Sequence, residues 1–434
     1  MREMKDSGIS WVGEIPKEWN KRPIRSIIKS RVGGVWGDDI NDDIQGVVCI
    51  RIADFDFSKR KIKDVSSDLL TYRLYNSIQI QKYSLQKNDI LIEKSGGGEK
   101  TPVGRAVLFD KNYKALFANF MDRIRIDDSI VLPLFAEYWL WNLYSCRVTP
   151  YYINQTIGIQ NIDLTFMLVK EKICFPSLVE QQRIAEFLDR ECGKIDGLKA
   201  DIQAQIDTLE QYKRSVITEA VTHGLNPSAP MKECSVSWAR QIPQHWKVMP
   251  NKHLMTKIKN ICPIYKGEDI LSLTMYGVIV RDLDAGGKMP SSFDGYQYIK
   301  KGNLLMCLFD IDVTPRCIGI IKQNGITSPA YSQFKMKKIA NARFYYYYYL
   351  MLDYTKELLH LAKNLRHSLT EDQLGAIKQL VPPLDEQQEI ADYLDNKCAE
   401  IEQIIADKKS QIETLDGYKK SLIYEYVTGK KEVI

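Results

Sequence analysis

The sequence has no long apolar run and no closely paired cysteines. No stretch approaches the roughly 18 residues needed to span a bilayer, and the opening MREMKDSGIS lacks the apolar segment of a secretory signal. The nine cysteines include no C-x-x-C pair, which argues against a zinc cluster or a disulfide framework. These absences predict a cytoplasmic protein with reduced thiols and no membrane partner.

The composition is that of an ordinary globular protein. The chain has 434 residues, of which 44% are hydrophobic and 26% are charged, so it is long enough for two or three domains with real cores. Its formal net charge of +5 is mildly basic. That charge permits a nucleic-acid partner without requiring one.

One segment occurs twice. Residues 176–224 align without a gap to residues 382–430, and 24 of the 49 positions are identical, where average composition would give roughly three by chance. A second echo pairs ISWVGEIPKEW, from Ile9, with VSWARQIPQHW, from Val236. The chain is therefore a tandem duplication in which each unit has a W-x3-IP-x2-W motif, a divergent body and a similar C-terminal segment.

Both C-terminal segments are predicted to be long helices, because neither contains an internal proline after its lead-in. Apolar residues recur every seven positions, with further residues between them, as in a coiled coil. The predicted pairing and docking residues in the first copy are Gln181, Gln182, Leu188, Ile195, Leu198, Ile202, Leu209 and Tyr212. Those in the second copy are Gln387, Gln388, Leu394, Ile401, Ile404, Leu415, Tyr418 and Leu422.

The geometry of a duplicated unit favours antiparallel pairing of the two helices about a pseudo-two-fold axis. A helix of this length would measure about 65 Å, so the divergent bodies are predicted to lie at opposite ends of a rod. B-DNA repeats every roughly 34 to 36 Å. Two unlike heads on such a rod would measure a duplex and read unlike half-sites.

The resulting fold class is α+β, with two heads of mixed α/β structure joined by two long antiparallel helices. The predicted boundaries are residues 1–175 for head 1, 176–224 for the first long helix, 225–381 for a linker and head 2, and 382–434 for the second long helix.

The motifs PSLVEQQRIAEFLD and PPLDEQQEIADYLD, with the paired W-x3-IP-x2-W motifs, make the chain resemble a specificity subunit of a type I restriction-modification system. The resemblance covers essentially the whole chain. It implies two target recognition domains that bind double-stranded DNA at a split, asymmetric site. It also implies two methyltransferase subunits docked on the helices and further restriction subunits.

The same resemblance implies a non-catalytic subunit with no cofactor of its own. S-adenosylmethionine is expected in the methyltransferase, and ATP and Mg in the restriction subunit. The sequence is consistent with a non-catalytic subunit, since it contains no NPPY-type or FxGxG motif of an adenine methyltransferase. Two alternatives stay open: a coiled-coil adaptor whose heads bind proteins, and a self-contained DNA-modifying enzyme with duplicated DNA-binding heads.

Base edges are read by amide and guanidinium groups, and phosphates are bound by cations. Two stretches of head 1 and one of head 2 offer such groups. The predicted DNA-binding residues are Lys94, Ser95, Lys100 and Arg105; Asn154, Gln155, Gln160 and Asn161; and Asn364, Arg366 and His367. For each stretch the alternative is ordinary polar surface.

Overall fold

The computed structural model describes residues 2–40, 46–156, 158–283, 290–312, 314, 316–362 and 367–433. It has the predicted α+β fold, with long helices that follow each mixed head. The helices are α1 (Ser77–Tyr83), α2 (Pro133–Ser145), α3 (Leu164–Lys170), α4 (Leu178–His223), α5 (Ala342–Tyr354), α6 (Glu371–Ala376) and α7 (Leu384–Val427).

Strands are confined to the two heads. Those of head 1 are β1 (Met4–Asp6), β2 (Glu14–Pro16), β3 (Asn20–Pro23), β4 (Ile28–Gly33), β5 (Val47–Ile50), β6 (Phe55–Asp56), β7 (Lys61–Ile62), β8 (Tyr72–Arg73), β9 (Ile90–Glu93), β10 (Ser95–Gly96), β11 (Ala106–Leu108), β12 (Ala115–Phe117), β13 (Met121–Ile126), β14 (Ile153–Thr156), β15 (Ile159–Ile162) and β16 (Lys172–Phe175). Those of head 2 are β17 (Met231–Val236), β18 (Ala239–Pro243), β19 (Lys247–Pro250), β20 (Met255–Ile258), β21 (Leu271–Thr274), β22 (Gly277–Val280), β23 (Gln297–Ile299), β24 (Leu304–Met306), β25 (Ile318–Ile320), β26 (Gly325–Thr327), β27 (Ser332–Met336) and β28 (Lys378–Val381).

The chain forms two compact units that do not follow the repeat boundaries. Unit 1 comprises Met1–Gln203 and Lys409–Ile434, and unit 2 comprises Ala204–Lys408. Each unit thus holds one head, the first half of the long helix that follows it and the last half of the other long helix. The boundaries between heads and helices stay a prediction.

Each head has its own central antiparallel sheet. Head 1 has the strand order β4-β13-β9-β11, extended by β7 and β6, and head 2 has the order β20-β27-β24-β25. A helix packs on each sheet, α2 in head 1 and α5 in head 2. The tyrosine run of α5 is core, because Tyr345, Tyr348 and Tyr349 are buried.

In unit 1 the two long helices run antiparallel. Lys199 of α4 pairs with Asp416 of α7, and Asp196 pairs with Lys419 at 2.7 Å, so residue numbers fall in one helix as they rise in the other. Lys419 is buried and also donates to the main-chain oxygen of Ser58 at 2.6 Å. The buried ammonium therefore has acceptors for its proton donors, as a buried charge requires.

Unit 2 repeats the arrangement with matching residues. Lys213 of α4 pairs with Glu402 of α7, and Lys408 donates to Gln205 Oε1 at 2.5 Å. Lys213 in the first copy of the repeat aligns with Lys419 in the second copy. Both units therefore confirm the antiparallel pairing, each on its own contacts.

The phase of the predicted seam is wrong at its intermediate positions. Leu198 and Tyr212 are 54% and 48% exposed, and Ile404 and Tyr418 are 45% and 57% exposed. The heptad position one place further along carries the seam: there Cys192, Ile206, Cys398, Ile405 and Lys419 are buried, and Lys199 and Lys213 are half-buried. The prediction chose the larger apolar side chains, whereas the seam accepts smaller residues and an ion-paired lysine there. Of the remaining pairing residues, Leu188, Ile195, Leu394, Ile401 and Leu422 are buried, and Ile202, Leu209 and Leu415 are half-buried.

The first glutamine of each EQQ motif joins the head to its helix. Buried Gln181 accepts from the Leu132 N–H at 2.8 Å and donates to the carbonyls of Pro176 and Ile130 at 2.9 and 3.2 Å. Leu132 directly precedes the head helix α2. The side chain therefore satisfies main-chain groups of both the head and the start of the long helix.

Gln387 makes the same three bonds in unit 2. It accepts from the Asn341 N–H at 2.8 Å and donates to the carbonyls of Pro382 and Ile339 at 2.9 and 3.1 Å. Asn341 caps the head helix α5. Neither glutamine is available to a partner subunit, because both side chains are buried.

The W-x3-IP-x2-W motifs hold the ends of the long helices. In unit 1 a Cβ added to Gly429, just past α7, would lie 3.1 Å from the ring of buried Trp19. In unit 2 a Cβ added to Gly224, just past α4, would lie 3.3 Å from the ring of Trp246. Both glycines have φ above +70°, where residues with a Cβ are strained. The repeated segments therefore form a frame that packs each head between two helix ends.

Among the described residues, none of the helices combines the length and the low polarity that crossing a bilayer would need.

We predict that Gln181→Ala will loosen head 1 from its helix. The substitution leaves an N–H and two carbonyls without their buried partner, at a cost on the order of 3 kcal/mol. The matched control is Gln182→Ala, since Gln182 is exposed and its side chain, within the described part of the chain, bonds to Glu186 of its own helix. We expect a cost under about 0.5 kcal/mol there.

Hydrogen exchange at the amides that begin α2, together with the thermal midpoint, measures the effect. Exchange should accelerate in the first variant and stay near wild type in the second. Equal exchange in both variants would show that Gln181 does not hold the head.

Candidate nucleic-acid interface

Two predicted stretches of head 1 meet in one small sheet. The short strand β10 pairs with β15, and β15 forms a hairpin with β14. The glycine-rich loop around residue 96 and the NQTIGIQNI segment, about 60 residues apart in sequence, therefore share one surface. The sequence predicted the two stretches separately and gave no sign that they pair.

A row of polar residues crosses this sheet. Ser95 lies opposite Asn161, which lies opposite Asn154. The Ser95 hydroxyl donates to Asn161 Oδ1 at 2.5 Å, and both asparagines are exposed. Residues directly opposite one another point to the same face of a sheet. The row therefore presents amide groups of the type that pairs with an adenine edge.

Cations flank the row. Lys94 and Arg31 both pair with the buried carboxylate of Asp122, at 3.1 and 2.7 Å. Two positive charges share one negative charge, so the cluster keeps a net positive charge. Lys100 lies exposed on the glycine-rich loop, where Gly96 and Gly98 have open space around their Cα atoms. Such glycines allow close approach of a backbone to a phosphate.

Two predicted contact residues serve the head itself. Arg105 donates to both carboxylate oxygens of Glu93, at 2.8 and 2.6 Å, and its guanidinium lies 3.4 Å from the ring centroid of Phe57. Gln160 is buried and accepts from the Val103 N–H at 3.3 Å. Because these side chains are committed to internal partners, we leave both out of the contact surface.

The remaining predicted residues lie at or beyond the limits of the described part. Gln155 lies in β14, but its side chain is outside the described residues, as are Asn364 and Arg366 entirely. His367 is described, and its Nδ1 lies 2.9 Å from Asp312 Oδ2. A contact role for these residues stays a prediction.

Phe120 is a surface feature that the sequence did not indicate. Its side chain is 49% exposed, and its carbonyl accepts from the Lys94 and Ser95 N–H groups. An exposed ring beside polar groups offers a stacking or apolar contact to a base. Phe120 directly precedes the buried strand β13. From the sequence, an apolar residue at this place would be expected to be buried in the core.

The exposed faces of the long helices form a second candidate surface. In unit 1 the antiparallel register sets exposed Leu198 at the level of exposed Tyr418. In unit 2 the matching pair is Tyr212 and Ile404. Gln182 and Gln388 are also exposed. These residues do not pair the helices, so their predicted role narrows to docking of other subunits.

The chain matches the family described as type I restriction modification DNA specificity domain over residues 16–208 and 317–414. The MjaX type I restriction enzyme specificity subunit of Methanocaldococcus jannaschii is 23% identical over 444 residues, covering 97% of this chain and 96% of that protein. The EcoBI specificity subunit of Escherichia coli is 21% identical over 218 residues, covering 48% of this chain and 42% of that protein.

A solved structure concerned with complex assembly and conformational transition of the type I R-M system has a similar fold. Its chain superposes with a TM-score of 0.68 at 12% identity, covering 96% of this chain and 99% of that chain. The family match over residues 16–208 and 317–414 confirms the resemblance seen in the repeated EQQ and W-x3-IP-x2-W motifs. The chain belongs to the type I restriction-modification DNA specificity family.

Proposed function

We propose that this chain selects the DNA site for a type I restriction-modification complex and performs no chemistry itself. Head 1 and head 2 each read one half of a split, asymmetric site in double-stranded DNA. Two methyltransferase subunits dock on the long helices and supply S-adenosylmethionine chemistry, and restriction subunits supply the ATP- and Mg-dependent activity. The complex acts in the cytoplasm.

The observation that carries the proposal is the combination of an identical frame with unlike heads. The two buried glutamines make the same three bonds in each unit, so the frame positions both heads in the same way. The heads differ in sequence and in the surfaces they present. A frame that positions two different heads in the same way suits a protein that reads two unlike half-sites.

In head 1 we assign base reading to the row formed by Ser95, Asn154 and Asn161, with Phe120 at its edge. Phosphate contacts fall to Lys94 and Lys100, with Arg31 beside them. Phosphate contacts set register and orientation, whereas contacts to base edges carry the sequence information. The arrangement therefore separates the two kinds of contact within one surface.

Methylome sequencing tests the proposal. A host given this chain with its cognate methyltransferase should gain a split, non-palindromic motif methylated on adenine in both strands. The control host receives the methyltransferase alone and should gain no motif. Co-purification of the two proteins without any new methylated motif would instead favour an adaptor whose heads bind proteins.

Asn154→Ala combined with Asn161→Ala should relax the sequence requirement of one half-site only. Each lost bidentate amide contact removes about 1–3 kcal/mol of discrimination against the wrong base. The methylome of the variant should show degenerate positions in one half and an unchanged other half. Gln86→Ala, at an exposed amide outside that sheet, is the control. Relaxation of both halves together would contradict the assignment.

Leu198→Glu combined with Tyr212→Glu should remove the methyltransferase from the complex. Charges placed on an apolar docking surface must be desolvated on binding, so we expect a loss of affinity of about tenfold or more. The matched control is Ala204→Glu with Gln211→Glu, two exposed positions on the same helix that add the same charge. Equal retention of methyltransferase by both variants, measured by co-purification, would place docking elsewhere.

A further inference from the structure

Head 2 carries a lysine-rich concave surface outside the stretches predicted to bind DNA. Two adjoining grooves, of about 900 and 1110 Å³, share Lys301, Gly302 and Met336 in their linings. Lys300 and Lys335 line the first groove, and Lys322 and Lys338 line the second. All five lysines are exposed.

These cations are not neutralised within the head. Over the described residues, no carboxylate lies within ion-pair distance of Lys300, Lys301, Lys322, Lys335 or Lys338. Three carboxylates also line the grooves, Glu268 and Asp269 in the first and Asp385 in the second. Exposed lysines without ion-pair partners make the local potential positive, which attracts an external anion.

Main-chain hydrogen bonds identify the corresponding surface in head 1. In head 2 the Gly302 N–H donates to the Ile321 carbonyl at 2.8 Å. In head 1 the Asn88 N–H donates to the Phe109 carbonyl at 2.9 Å. A second bond matches as well. The Ile321 N–H donates to the Asn303 carbonyl at 2.9 Å, and the Phe109 N–H donates to the Asp89 carbonyl at 2.8 Å.

A third pair of bonds matches the strand ends. The Lys337 N–H donates to the Leu254 carbonyl at 2.8 Å, and the Asp127 N–H donates to the Ile27 carbonyl at the same distance. Lys335 and Arg125, two residues earlier, therefore occupy matching places in β27 and β13. With these three pairs the two surfaces can be compared residue by residue.

The comparison shows three positions that change from acidic to basic and one that changes from acidic to neutral. Four carboxylates of head 1 have a neutral or basic residue in their place in head 2: Asp89, Asp110, Asp127 and Asp128 correspond to Asn303, Lys322, Lys337 and Lys338.

The cation at this place in the strand has a carboxylate partner in head 1, where it is Arg125, and lacks that partner in head 2, where it is Lys335. Arg125 donates to both oxygens of Asp89, at 2.8 and 2.9 Å, and this hydrogen bonding raises the pKa of its guanidinium. In head 2 the corresponding carboxylate is absent because Asn303 replaces Asp89. Lys335, in place of Arg125, therefore faces the groove without that partner.

We propose that this lysine groove of head 2 binds the phosphate backbone of nucleic acid, and that head 2 therefore contributes more salt-dependent affinity than head 1. The inference rests on the proposed function and adds a site to it. A docking site for the methyltransferase would need like surfaces on both heads, whereas this surface has lysine or asparagine at four places where head 1 has a carboxylate. Lysine is also depleted in protein–protein interfaces and frequent at phosphates.

The test uses the full-length chain with Lys301→Gln, Lys322→Gln and Lys335→Gln together. Its affinity for a duplex with the methylated motif, and for a duplex of unrelated sequence, is measured over a series of KCl concentrations. Each lost phosphate contact lowers the slope of log K against log salt by about 0.9, so we expect a slope about 2 to 3 smaller. Both duplexes should weaken by a similar factor, because phosphates carry no sequence information.

The matched control is Arg240→Gln, Lys247→Gln and Lys378→Gln, three exposed cations of unit 2 outside the grooves. It removes the same charge and should change the slope much less. Equal slopes in the two triple variants would overturn the groove assignment. So would loss of methyltransferase binding with unchanged DNA affinity, which would identify an acidic protein partner.

Failure of this inference is separable from failure of the proposed function. If wild-type protein prefers its methylated motif and the groove variant keeps the wild-type slope, only the groove assignment falls. If wild-type protein shows no preference for any duplex and directs no methylation, the proposed function itself falls.

Discussion

The attachment of each head to its long helix depends on one buried carboxamide, that of Gln181 in unit 1 and that of Gln387 in unit 2. A buried primary amide can satisfy carbonyls with its N–H groups and an amide donor with its oxygen, and here these bonds join a head helix to the lead-in of a long helix. Removing such a side chain leaves main-chain groups unpaired in a place that water does not reach. Because the same bonds recur in both units, two heads of unlike sequence are attached in one way.

That common attachment allows the heads to diverge. Residues that hold the frame are glutamines, tryptophans and end-of-helix glycines, and none of them lies on the surfaces assigned to DNA. The surfaces differ accordingly: head 1 offers an amide row beside a cluster of two cations and one carboxylate, while head 2 offers lysines that lie outside ion-pair distance of the described carboxylates. Changes in a half-site reader therefore cost little stability, since surface substitutions away from packed or capped positions usually stay within about 0.5 kcal/mol.

Repeats and periodicity predicted the architecture, while contacts between distant residues decided the details. The helices were found because proline is absent and apolar residues recur, yet the phase failed at Leu198 and Tyr212. Lys419 occupies the seam because Asp196 of the other helix neutralises it, which no pattern within one helix reveals. The candidate site also depends on contacts between distant residues: the pairing of Ser95 with Asn161, and of Arg105 with Glu93, is set by strand register. Gln181 was predicted to take part in helix pairing or subunit docking, whereas its side chain is buried and bonds to main-chain groups of the head.

The discontinuity of unit 1 bears on how the protein is made. Ribosomes deliver the chain from its N-terminus at about 5–20 residues per second, and domains generally fold as they emerge. Unit 2 is a single stretch, Ala204–Lys408, and all of its parts are available once that stretch is synthesised. Unit 1 lacks its last helix half until Lys409–Ile434 follows, about 10–40 s after Gln203 at those rates. The head that is translated first is therefore completed last, and its partner surface for α7 stays exposed through the synthesis of the whole second unit.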